Sequence, residues 1–168
     1  MNRVFDPPRL GRLLVSWEIG SSGRQFVVEA KQDGAEFIDA EHMLLALAAN
    51  PESDAARLLK EFGLDHDRLA AALHEERRQT LAVVGMKATD TKLAAATERD
   101  SQPSLGTSAK VAFRRALIGS RHNRRRARLR GTDLLAGILE AEFGTVPRAL
   151  AIAGIDRAAL LARARQAE

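Results

Sequence analysis

The densest group of chemistry-bearing side chains is the run from Arg121 to Arg130, RHNRRRARLR, which holds Arg121, Arg124, Arg125, Arg126, Arg128 and Arg130. Six guanidinium groups on one connection repel each other and are easier to hold against an anionic partner. A nucleic-acid phosphate backbone suits them, since such contacts need charge and little sequence pattern. An acidic protein surface suits them too, and a solvated loop is the plain alternative. No aromatic residue interleaves the run, which argues against stacking on single strands. The four histidines, at 42, 66, 74 and 122, show no metal-binding spacing such as H-E-x-x-H. There is no G-x-S-x-G elbow and no cysteine, so no thiolate nucleophile, thiolate metal site or disulfide. These residues give no basis for an enzyme and none for a cofactor. Glu41 stands near a predicted helix start, where an acid stabilises the helix end by about 0.3–1 kcal/mol.

The elements that position these residues follow from an internal repeat, which has to be settled first. A shift of 91 residues carries Met43 onto Leu134, Leu44 onto Leu135 and Leu47 onto Ile138. Without a gap it goes on to carry Arg57 onto Arg148, Leu59 onto Leu150, Gly63 onto Gly154, Asp65 onto Asp156 and Leu69 onto Leu160. Hydrophobic residues make up 45% of the 168 and aromatic residues 4%, with alanine and leucine dominant. That mixture favours close-packed helices, because alanine loses no side-chain entropy in a helix. The expected fold is all-α: two pseudo-repeated four-helix units, about eight helices, packed as one bundle. Residues 1–15 form an N-terminal extension, 16–77 the first repeat, 78–106 a linker and 107–168 the second repeat. Ser16 is the expected cap of the first helix, with Gly20 to Gly23 as a point of weakness. Asp39 and Asp65 cap later helices, Thr145 and Asp156 do so in the second repeat, and the fourth helix ends near Arg77. Leu81, Val83, Val84 and Met86 suggest that the first part of the linker packs. Each unit alone has too little core, so the two should share an interface. No apolar run approaches the roughly 20 residues of a membrane span, and Asp6, Pro7 and Pro8 interrupt any leader-like segment. The expectation is a soluble, cytoplasmic protein.

Glu41-His42-Met43-Leu44-Leu45-Ala46-Leu47, then Ala55-Ala56-Arg57-Leu58-Leu59 and Gly63-Leu64-Asp65, resembles the N-terminal domain of Clp-type AAA+ unfoldases, the Clp R domain. That family carries G-T-E-H-L-L-L-G-L and A-A-R-V-L…L-G-V-D twice over. The second copy here is Asp133-Leu134-Leu135-Ala136-Gly137-Ile138-Leu139, Arg148-Ala149-Leu150 and Gly154-Ile155-Asp156. The resemblance implies a non-catalytic module that binds client or adaptor proteins, or peptide-like ligands, for a Clp ATPase or protease complex. With no G-x-x-x-x-G-K-[ST] loop in the sequence, a free-standing N-domain acting as adaptor or decoy is expected. Some family members bind phosphoarginine through the glutamate of each G-T-E-H motif, a carboxylate accepting guanidinium N–H groups. The resemblance places that role on Glu41 in the first repeat. In the second, the gap-free register gives Thr132, and reading Gly131-Thr132-Asp133 as G-T-E gives Asp133. A nucleic-acid-associated regulator using Arg121 to Arg130 is the alternative.

Overall fold

A computed structural model describes residues 19–85, 103–122 and 129–167. Eight helices lie among them. The first repeat has α1 (Ile19–Gln32), α2 (Ala40–Ala49), α3 (Asp54–Glu61) and α4 (His66–Val83); the second has α5 (Thr107–His122), α6 (Gly131–Leu139), α7 (Thr145–Ile152) and α8 (Arg157–Gln166). The N-terminal extension, Ser16, residues 86–102 of the linker, and Arg124, Arg125, Arg126 and Arg128 lie outside the described residues. Among the described residues no helix is long and apolar enough to cross a membrane.

Matching local signals end and start the matching helices. Gly63 and Gly154 take φ of 70° and 73°, the left-handed region that glycine enters without steric cost. There the Leu64 N–H reaches back to the Leu59 carbonyl (3.0 Å), and Ile155 N–H does the same to Leu150 (2.9 Å), the helix-ending pattern expected of glycine at that position. One residue later Asp65 accepts from Arg68 N–H, and Asp156 accepts from the Ala158 and Ala159 N–H groups. In α3, Ser53 accepts from Ala56 N–H.

The apolar faces set by this register converge. Met43, Leu44 and Leu47 on α2 and Leu134, Leu135 and Ile138 on α6 are all buried, and α2 packs against α6. Helix α1 backs α2 and α5 backs α6. The fourth helices pack differently: α4 lies along α7 of the second repeat, whereas α8 packs chiefly on α6 of its own repeat and also touches α3 of the first. Phe26 of α1 and Phe113 of α5 meet edge to face, with ring centroids 6.4 Å apart.

Several local details differ from the sequence reading. Helix α1 runs through Gly20 and Gly23 without a break. Gly144, not Thr145, precedes the first turn of α7. Helix α4 continues to Val83, past Arg77, because its face toward α7 stays occupied by Leu73 and Glu76, and Thr80 donates to Glu76 one turn on. Gly85, at φ 75°, follows its end. Val83 and Val84 are 87% and 65% exposed rather than packed. A two-residue parallel pairing, β1 (Phe37–Ile38) with β2 (Ser104–Leu105), joins the repeats and has no counterpart in the sequence reading.

Gly137 sets the closest approach of α5 to α6. A Cβ there would lie 2.4 Å from the Ala112 carbonyl oxygen and 2.9 Å from Ala116 N. Gly137→Ala is therefore expected to lower stability by about 1–3 kcal/mol through overpacking, read from urea unfolding midpoints. Gly119→Ala, with nothing within 4 Å of the added carbon, should instead gain up to about 1 kcal/mol from helix propensity.

Candidate functional site at the first turn of α2

The start of α2 is closed by side chains from both repeats. Asp39, in extended conformation (φ −107°, ψ 176°), donates its backbone N–H to His42 Nδ1 at 2.9 Å. Ser108 of α5 accepts from Ala40 N–H at 2.9 Å, and its hydroxyl donates to Asp39 Oδ1 at 2.6 Å. Gly106 makes room for this bridge, since a Cβ there would lie 2.2 Å from Asp39 Oδ1. Because Nδ1 of His42 accepts, the neutral ring carries its proton on Nε2, which faces Asp33 Oδ2 at 3.3 Å. His42 is 3% exposed. Asp33 also receives two hydrogen bonds from Arg77 of α4, each 2.5 Å. Burial alone would raise the Asp33 carboxyl; the hydrogen bonds from His42 and Arg77 outweigh it and hold the group down at about 2.

Glu41 sits beside this cluster. Burial pushes its carboxyl above the ordinary value, and its own backbone amide, His42 and Arg77 oppose that shift only in part. Among the described residues no other side chain hydrogen-bonds to Glu41 or forms a salt bridge with it. A half-buried carboxylate at a helix N-terminus, with acceptor capacity free, is suited to a donor-rich cation.

The second repeat builds its helix start differently. Arg130 N–H donates to Asp133 Oδ2 at 2.7 Å. Asp133 thus does for α6 what His42 does for α2, and the counterpart of Glu41 is Thr132, 1% exposed. The Arg130 guanidinium turns away, to Asp54 of α3 and to the Ala167 carbonyl oxygen. Glu41 and the pair Thr132 and Asp133 therefore stand at the starts of two different helices. Of the arginine run, Arg130 is held internally, and Arg121 is placed on the last turn of α5.

Asp33, Arg77 and Ser108 were not anticipated from sequence, where 44 and 69 positions separate the hydrogen-bonded pairs Asp33–Arg77 and Asp39–Ser108. A concave surface of about 360 Å³ lies elsewhere, between α4 and α7, lined by Glu76, Thr80, Val83, Arg148 and Ile152 among others. At its polar end Glu76, 4% exposed, accepts from Arg148 Nε at 2.6 Å and from the Thr80 hydroxyl at 2.8 Å. No group of three or more His, Cys, Asp or Glu among the described residues could hold a metal ion.

The two carboxyl shifts have opposite consequences for stability. The depressed Asp33 contributes stability that is present above the unfolded carboxylate range and lost as pH falls toward about 2. Asp33→Asn should therefore destabilise at pH 7, by about 1 kcal/mol for a partly screened pair, with the difference vanishing near its folded value. Glu41 shifts the other way, so its ionised form costs stability above the ordinary range. Glu41→Gln should be the more stable protein at pH 7, an advantage that fades as pH falls below the ordinary glutamate range. Urea midpoints across this pH range measure both.

The family profile described as the Clp repeat (R) N-terminal domain matches residues 27–152. No curated protein matches the sequence. Among solved structures, the chain is similar to the N-terminal domain of the caseinolytic protease associated chaperone ClpD from Arabidopsis thaliana. The two are 20% identical with a TM-score of 0.61, over 85% of this chain and 86% of that one. The ClpV N-domain, solved in complex with a VipB peptide, is 18% identical with a TM-score of 0.60, over 100% of this chain and 97% of that one. A protein of a malarial protein secretion system is 18% identical with a TM-score of 0.55, over 87% and 88%. At these identities the likeness to solved structures is one of fold. The helices, the doubled motif and the profile match over most of the sequence agree: the chain belongs to the Clp repeat N-terminal domain family.

Proposed function

We propose that this chain is a non-catalytic binding module for peptide segments of client or adaptor proteins of a Clp-type unfoldase or protease system. In this reading Glu41 receives a guanidinium-bearing group of the bound segment. The observation that carries it is the Glu41 carboxyl itself, half-buried and raised by desolvation, without a partner side chain among the described residues. A protein gains no stability from such a group, whereas a bound guanidinium would supply paired, charge-assisted hydrogen bonds to it. The ClpV N-domain, of the same fold, was solved with a peptide, which supports a peptide-like ligand. Phosphoarginine and unmodified arginine share the guanidinium chemistry. Asp33 is already paired with Arg77, and the two remaining acids, Asp39 and Glu41, favour the cationic side chain; the phosphoryl group is an arm of the test. Delivery of clients and competition with another N-domain are both consistent with such a module.

Calorimetric titration with phosphoarginine, and separately with an arginine-containing peptide, tests the reading on wild type and Glu41→Gln. Wild type should release heat with at least one ligand, and the variant should bind it at least about tenfold more weakly, the loss of one charge-assisted pair worth about 1.5–3 kcal/mol. Equal binding by both proteins would exclude Glu41 as the receptor group.

A further inference from the structure

The two repeats share a backbone plan, yet they treat the position of Glu41 in opposite ways. We infer that the chain is a monovalent reader: it offers one cation-receiving position, in the first repeat, and the second repeat has made the matching position part of the fold. The inference rests on the reading of Glu41 given above and adds to it the number of sites.

Three observations carry it. The helix-start hydrogen bonds fix the register, because Asp39 N–H to His42 Nδ1 and Arg130 N–H to Asp133 Oδ2 are the same contact made by different side chains. In that register Thr132 replaces Glu41, and at 1% exposure it can bring neither a charge nor an open surface to a ligand. Asp133, the acid next to it, is engaged by the backbone it caps. The start of α6 is also pressed against the first repeat. A Cβ on Gly131 would lie 3.2 Å from Ala55 Cβ and 3.6 Å from Leu47 Cδ2.

Monovalency has a functional consequence. A module with two linked sites gains roughly 10²- to 10⁴-fold in affinity for a segment that carries two tags. This chain should gain only the statistical factor of about two, so it counts neither tags nor their spacing.

The experiment uses the full chain with three probes: phosphoarginine, a peptide carrying one arginine, and a peptide of the same sequence and length carrying two. Expected results are one ligand per chain by calorimetry, and affinities for the two peptides within about twofold of each other. Glu41→Gln should lose binding, and Thr132→Val, checked for native circular dichroism, should bind as wild type does. Two ligands per chain, a hundredfold preference for the two-arginine peptide, or a site retained in Glu41→Gln would overturn monovalency while leaving a guanidinium-binding module in place. Loss of binding in a folded Thr132→Val would overturn it as well. No binding of any probe by wild type would overturn the reading of Glu41 and monovalency together.

Discussion

The two repeats share one core, and that constraint organises the molecule. Helix α4 finds its apolar partner on α7 of the other repeat, helix α8 packs on α6 and also touches α3, and α2 and α6 meet at the centre. Leu69 of α4 and Leu160 of α8, each buried to 1% exposure or less, belong to one core that also holds residues of the other helices of both repeats. Each such side chain is worth about 1.5–3 kcal/mol against exposure, so separating the repeats would forfeit many of them at once. Polar contacts then fix how the halves sit. Arg68 of α4 donates to the Ala153 carbonyl at the end of α7, and Arg130 donates to that of Ala167 at the end of α8. Cations at helix C-termini suit the dipole there. Glu76 and Arg148 make a tighter cross-repeat link, in which loss of the arginine would leave a buried carboxylate unpaired.

Within this frame almost every covered charge answers to a structural partner. Glu29 accepts from Gln25 and faces His66, Asp33 is bound by Arg77 and His42, and Asp133 closes its own helix. Glu41 stands apart among the described acids, covered enough to be shifted upward yet without a partner side chain. Its neighbour His42 performs the capping task that Asp133 performs in the second repeat. One helix start thus keeps an acid without a partner side chain among the described residues, while the other is packed against the first repeat.

The helical architecture was legible because its signals are local and doubled. Leucine periodicity, the glycines at 63 and 154 and the capping aspartates at 65 and 156 each speak within a few residues, and their agreement at one spacing excludes accident. The packing of α4 on α7 of the other repeat was not legible, since an amphipathic face does not name the helix that covers it. The full length of α4 was not legible for a related reason: nothing local shows that Glu76 is buried against Arg148, 72 positions away. The β1–β2 pairing is two residues long, too short for any alternation to register. Glu41 is singled out in the sequence only through resemblance. The choice between Thr132 and Asp133 needed the backbone hydrogen bond to Arg130, which no sequence pattern discloses.

Carbon-13 NMR titration of the carboxyl groups measures the key quantity directly, the state of the Glu41 carboxyl in the unliganded chain. The account predicts that Glu41 titrates above the ordinary glutamate value of 4.5, while Asp33, a short distance away, titrates at about 2. A Glu41 that titrates at or below the ordinary value would contradict it, because the carboxylate would then already have a partner within the protein.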